Sequence, residues 1–391
     1  MLSARRTTPA HFLLAAAALA TAHNAASAPQ ETPSLPAKLL PLKGELALPV
    51  VDGAIVHMGK RAALLGGMTE DFKATPAVQL RTPDGTWKPV GNQLLEARIG
   101  PSVIALPDNR VFVWGGFGGS AAGELTPLHN GEVLDPRVAG SSRLITPPEG
   151  AAWETPSAPV LLDDGSVGLI AANALYRFDL QNNRWEEPLP LGRRLAGPSL
   201  CTAPKNRLLA CGVDPKNEST HVIEIDLATE TITPWEDHLP ERILGGQLIR
   251  MPDGLAVLMG WPQADGRPSR RTVVLSPETR TMTNGPTLPL VGSGPSWQAT
   301  CRVGPGIVVM MTVRKEPDTK DHSVAFYLQY VRGTTFRVWR LAQIPPGRRQ
   351  MLLAHGSKAV ELIGGYEFLP SGPKITRTSA LLEYGTGPIG D

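Results

Sequence analysis

The stretch SVIALPDNRVFVWGG, residues 102–116, is a short apolar run, a tight polar turn and a second apolar run ending in two glycines. Asp108-Asn109 between two β-rich runs signals a hairpin, because Asp and Asn tolerate the backbone conformations of a tight turn. The same unit recurs as PVLLDDGSVGLIAA at 159–172, SLCTAPKNRLLACG at 199–212, QLIRMPDGLAVLMG at 247–260 and QATCRVGPGIVVMM at 298–311. Weaker copies are AIVHMGKRAALLGG at 54–67 and MLLAHGSKAVELIGG at 351–365. The turns centre on Gly59, Asp108, Asp164, Lys205, Asp253, Gly304 and Gly356. A period of about 50 residues built of strands points to a β-propeller. Seven copies predict seven blades.

A third and a fourth strand follow each hairpin. The third is read in 77–87, 174–185, 221–232, 272–282 and 325–336, where it ends in an acidic or proline turn and an aromatic or large apolar residue. Alternation of Val222, Glu224 and Asp226 with Ile223, Ile225 and Leu227 fits a half-buried strand. The last copy has a third strand at 378–384 and no sequence left for a fourth. Residues 37–42 have strand character, and Pro41 suits an edge because it donates no ladder hydrogen bond. Pairing 37–42 with the last blade would close the ring. The fold expected is therefore all-β, with seven four-stranded blades in one domain over 37–391.

These motifs resemble the kelch-repeat β-propellers. In that family a Gly-Gly pair ends the second strand and an aromatic ends the third. Gly66-Gly67, Gly115-Gly116 and Gly364-Gly365 match the pair, and Trp87 and Trp185 match the aromatic. Ala171-Ala172, Cys211-Gly212, Met259-Gly260 and Met311-Thr312 replace the pair elsewhere, and Ile232, Met282 and Phe336 replace the aromatic. The resemblance covers about 40–391. The glycines are read as structural, allowing positive φ and close backbone approach.

Composition agrees. Glycine (40) and proline (38) punctuate the chain, and 42% hydrophobic residues can bury a large core. A net charge of +2 argues against a strongly basic nucleic-acid binder. Residues 1–28 read as a secretory signal peptide: Arg5 and Arg6, the apolar run FLLAAAALATA at 12–22, then Ala20-Thr21-Ala22 and Ala26-Ser27-Ala28 as cleavage sites. Arg5-Arg6 alone would be a thin basis for a twin-arginine signal. This segment carries the whole basic excess. The expected location is periplasmic or secreted, with 29–36 as a tether and no membrane span.

An oxidising compartment permits disulfides. Cys201 and Cys211 flank Lys205-Asn206, so a hairpin can bring them face to face; the alternative is that both, with Cys301, are small buried apolar residues. No spacing suggests zinc.

Function lies in the loops of such a fold. Copper-radical oxidases of the galactose-oxidase type share it, but the five tyrosines (Tyr176, Tyr327, Tyr330, Tyr366, Tyr384) and scattered histidines form no ligand set. No Gly-x-Ser-x-Gly elbow and no phosphate loop occur; Gly115-Gly116-Phe117-Gly118-Gly119 opens no helix. No cofactor and no metal are expected. The loops leading into successive first strands do carry arginine: Arg98, Arg194, Arg242 and Arg349, with Glu154 and Trp297 in similar places. Gly-Pro-Ser recurs there at 100–102, 197–199 and 294–296. Converging arginines would form a positive funnel for a carboxylate or phosphate; the alternative is that each pairs within the repeat. The chain is similar in fold and compartment to bacterial N-acetylneuraminate epimerases, which implies a mutarotase as the alternative function. The principal expectation is a monomeric binding or scaffold module for a protein or glycan in the cell envelope. Trp114, Phe117, Trp153 and Trp261 are its candidate loop aromatics.

Overall fold

In the computed structural model every predicted hairpin forms, and each becomes the inner half of an antiparallel sheet of four strands, to which the short strand Leu189–Pro190 adds a fifth in the third blade. The structure describes residues 32–119, 124–149, 156–239, 242–260, 269–289, 298–313, 322–344, 351–355, 357–369 and 372–385. The segment read as a signal peptide lies outside them. Among the described residues there is no helix.

Blade one consists of Ala54–Met58, Arg61–Leu65, Val78–Arg81 and Trp87–Pro89, hydrogen-bonded in that order. Blades two to six repeat the plan, with first strands at Ser102–Ala105, Val160–Leu161, Ala196–Ala203, Gln247–Arg250 and Gln298–Val303. Blade seven runs Met351–His355, Ala359–Ile363, Thr378–Tyr384, and its outermost strand is Ala37–Glu45 from the other end of the chain. The register is Ala37 opposite Tyr384, Leu40 opposite Leu381 and Pro41 opposite Ala380, with a bulge before Glu45. Pro41 thus sits in an edge strand, where its missing N–H costs no ladder bond.

Turn chemistry explains the strand ends. Asn109, Lys205 and Asn206 adopt positive φ in the first turns of blades two and four, and Gly59, Gly165, Gly254 and Gly304 do so in four others. Between third and fourth strands an aspartate recurs. The carboxylates of Asp84, Asp135, Asp179 and Asp226 each accept the backbone N–H two residues on, at 2.8–3.3 Å. This turn corrects one sequence reading. Trp87, Trp185, Ile232, Met282 and Phe336 do not end third strands; they lie in the opening of the fourth, beyond the turn. Trp185 faces Phe178 and Phe336 faces Tyr330 across the ladder.

The core is a ring of apolar seams. Leu65, Val78, Val111 and Val113 join blades one and two. Phe112, Trp114, Leu169 and Phe178 join two and three. Leu175, Leu200, Leu208 and Ile225 join three and four, and Leu209, Val222, Leu258 and Leu275 join four and five. Met259, Val309 and Phe326 join five and six, and Val308, Tyr327, Leu362 and Leu382 join six and seven. A seventh seam, Leu46, Leu64, Trp87, Leu353 and Ile363, joins seven to one and closes the circle. In the second strand of blade four Leu208 and Ala210 face one neighbour while Leu209 and Cys211 face the other. The period-two alternation of a strand is what lets one strand serve two seams.

The segment read as a tether is docked over 33–36. Leu35 is buried in the seam between blades six and seven, its N–H bonds the Arg340 carbonyl at 2.9 Å, and Gly385 N–H bonds the Pro36 carbonyl at 3.0 Å.

Candidate functional site

The two ends of the ring are built unequally. Connections from first to second and from third to fourth strands are short turns. Most connections from second to third strands, and from one blade to the next, are longer and share the opposite face. Examples are 66–77, 115–130 and 364–377 on the one hand, 46–53 and 90–101 on the other. Two of these loops fold into hairpins of their own, Phe117–Gly119 with Leu125–Pro127 and Tyr366–Leu369 with Gly372–Ile375. Functional residues concentrate on such loops because a rigid scaffold can position them freely.

The loops of blades seven, one and two are knitted together. Val51 and Met68 exchange backbone hydrogen bonds, Thr75 pairs with Arg98, and Ile99 pairs with Phe117. Val51, Met68, Ile99, Tyr366 and Ile375 form a small apolar cluster beneath them. The glycine pairs make this possible. Gly66, Gly67, Gly115, Gly116, Gly364 and Gly365 all have positive φ. A Cβ on Gly66 would lie 2.5 Å from the Arg98 carbonyl oxygen, and one on Gly364 2.6 Å from that of Val50. The glycine role is therefore backbone approach between blades.

Arg98 is buried and engaged within the blade. Its side chain is fully buried and forms an ion pair with the equally buried Glu132 at 3.1 Å. It also donates to the Gly115 carbonyl at 2.8 Å and to Asn130 Oδ1 at 2.8 Å. It pins the loop of blade two from below. Arg194 and Arg242 are exposed at the lead-ins to blades four and five, and Arg242 reaches Glu218 at 3.5 Å. The neighbouring Arg193 donates to His221 Nδ1 at 2.7 Å. Arginine has no acceptor, so Nδ1 carries the lone pair and Nε2 the proton, which goes to Ser219 Oγ at 2.9 Å. Ser219 in turn donates to Asn217 Oδ1 at 2.7 Å. Arg349, Glu154, Trp297, Trp153 and Trp261 lie outside the described residues, as do 294–296. Of the arginines read at these lead-ins, Arg98 is buried and Arg194 and Arg242 are exposed.

Loop aromatics divide. Trp114 is buried between blades two and three, edge-on to Trp185 with centroids 5.5 Å apart, and packs as core. Phe117 is 46% exposed. It faces Pro127 across its hairpin, and Gly119 faces Leu125, which is 40% exposed. Directly opposed residues and those two apart share a sheet face, so Phe117, Leu125 and Pro127 form one apolar strip.

Cys201 and Cys211 are free thiols. The register places Cys201 opposite Leu209 and Cys211 opposite Ser199, because the turn pairs Ala203 with Arg207. The cysteines are diagonal neighbours, about 7 Å apart by ladder geometry, too far for a disulfide. Burial pushes both thiols up to about 12, and Cys301 up to about 11. They are small apolar core residues, the alternative left open above.

One recurring feature carries no sequence motif. Near the start of most third strands a polar side chain ties down backbone at a junction between blades. Gln79 bonds both N–H and C=O of Leu48 at 3.0 and 2.9 Å. Glu132 accepts from Leu95 and Glu96 N–H at 2.6 and 3.2 Å. Thr220 accepts from Ile243 N–H at 2.8 Å, Thr272 donates to the Pro286 carbonyl and Ser379 to that of Gly44, both at 2.7 Å. The signal is positional: different residue types share one place in the repeat.

Compared with protein-family models the chain matches none, and no curated protein is similar to it at a significant level. The seven-bladed propeller therefore stands on the structure itself.

Proposed function

We propose that this propeller is an exported, kelch-like binding or scaffold module that engages a protein partner in the cell envelope through its loop-rich face. The observation that carries the reading is the apolar strip of Phe117, Leu125 and Pro127 on a hairpin raised from that face. An exposed aromatic flanked by aliphatic groups contributes most when a partner desolvates it. Leu125 and Pro127 favour a protein over a glycan, since a sugar ring stacks on a flat aromatic platform, which neither supplies. The glycine pairs at Gly66, Gly115 and Gly364 support the kelch likeness, and residues 1–28 support export.

The test is site-specific photo-crosslinking. A photoreactive phenylalanine analogue at position 117 should give a discrete protein adduct in envelope preparations. The same analogue at Val331, exposed beside a turn on the other face, should not. Phe117→Ser and Leu125→Ser should each weaken binding of the captured partner at least about tenfold, with unfolding free energies within about 0.5 kcal/mol of wild type. Equal adducts at both positions, or a glycan adduct alone, would refute the protein-binding reading.

A further inference from the structure

The turn face gathers a different chemistry. In every blade one residue at or next to the end of the first strand takes an equivalent place on the inner wall, beside the turn. These positions are His57, Ala105, Leu161, Thr202, Arg250, Arg302 and Ala354. First strands of neighbouring blades abut, so this level is the inner rim of the ring. Side chains reach sideways along it. Arg250 Nη1 donates to Thr202 Oγ1 at 3.1 Å, Arg302 Nη1 to the Arg250 carbonyl at 3.3 Å, and His57 Nε2 to the Ala354 carbonyl at 2.8 Å. The rim holds two arginines and a histidine and no carboxylate.

Where blade seven meets blade one, this rim opens into a cavity of about 320 Å³ lined by His57, Lys60, Arg61, Arg81, Thr82 and Ala354, among others. No carboxylate is among its described lining residues. Arg81 is held from behind: its Nε lies 2.9 Å from Oε2 of the fully buried Glu361, whose other oxygen faces Trp87 Nε1 at 3.4 Å. That pairing neutralises Arg81 and fixes its direction. Lys60 and Arg61, on the turn itself, are exposed. Their charge is uncompensated within the cavity wall. Lys60, with three ammonium donors, and Arg61, with five guanidinium donors, therefore line a recess that has no carboxylate among its described lining residues.

We propose that this recess is an oxyanion site for a ligand bearing a phosphate or sulfate group. A cavity near 300 Å³ is at the small end of ligand sites and accommodates such a group with little more than one ring attached. Arginine and lysine together match tetrahedral oxyanions, the fork fixing two oxygens and the ammonium acting as a point charge. The site is on the opposite face from the apolar hairpin and does not depend on it.

Calorimetric titration of the folded chain with inorganic phosphate and with pyrophosphate tests the assignment. Saturable one-to-one binding is expected at low ionic strength. Arg61→Ala and Lys60→Ala should each weaken it about tenfold, and both are exposed positions where folding should survive, as thermal unfolding can check. Lys205→Ala, an exposed lysine on the equivalent turn of blade four, should change it less than about twofold. Sedimentation with phosphatidylglycerol vesicles separates sources: vesicle binding that phosphate displaces and Arg61→Ala abolishes assigns the group to a lipid headgroup. Phosphate binding without vesicle binding assigns it to a soluble ligand. Absence of saturation at millimolar phosphate, or an equal loss from Lys205→Ala, would overturn the proposal.

Discussion

Arg98 shows how far a single residue can be read. Its recurrence with Arg194 and Arg242 ahead of first strands is visible in sequence, but its partner Glu132 lies in another strand and becomes adjacent only when the blade forms. Buried ion pairs of this kind respond asymmetrically to mutation. Removing one partner strands the other charge without water, so Arg98→Met should destabilise by about 3–5 kcal/mol, whereas Arg98→Met with Glu132→Leu should recover much of that loss. Urea unfolding of the two variants measures both. Gly66 and Gly100 form a second comparison. Both have φ near +60°, but a Cβ would strike the Arg98 carbonyl at 2.5 Å in the first and meet nothing within 4 Å in the second. Gly100→Ala should cost only the left-handed backbone, about 1–2 kcal/mol, and Gly66→Ala clearly more. The cysteines give a pH prediction. Burial disfavours the thiolate, so each pKa is raised and each thiol stays protonated at pH 8. Iodoacetamide should leave Cys201 and Cys211 unmodified in the native state at pH 8 and label all three rapidly in denaturant.

At the scale of the element, hairpins were legible because both their strands and their turns sit within fifteen or so residues and carry turn-specific chemistry. The third-to-fourth strand boundary was not. Trp87 and Trp185 mark the repeat faithfully, but the Asp84 and Asp179 turns precede them, so a signal of periodicity was displaced into the wrong strand. The closing strand was legible by subtraction, since one blade lacked a partner and 37–42 lacked a hairpin. What could not be read was that Leu35 docks as well, because a lone leucine among prolines carries no pattern. Lys38 and Glu383 are register partners in that closure. Replacing both by cysteine should add up to about 4 kcal/mol on oxidation, the order expected for closing a very long loop, and reduction should remove it. Denaturant titration with and without reductant checks this.

For the whole molecule, the repeat period sufficed to give seven blades, whereas the distribution of function between two faces needed the loops and turns in place. The seven seams also rank the strands. Second strands such as Arg207–Val213 are buried on both faces, and fourth strands such as Trp87–Pro89 end at solvent. Amide hydrogen exchange should therefore be slowest in second strands of every blade and fastest in fourth strands; uniform protection across each blade would contradict that gradient. The closing blade adds a matter of timing. Ser379 donates to the Gly44 carbonyl across 335 residues of sequence, so the earliest-made strand must wait for the latest-made one. Until the final strand exists, blade seven has no outer edge and the circle stays an open arc with two sticky ends. Six blades can assemble from local contacts as the chain lengthens, but the last step is an encounter between the extremities, the slow kind of event that loop entropy penalises. A chain cut before Thr378 would then be stalled as an arc.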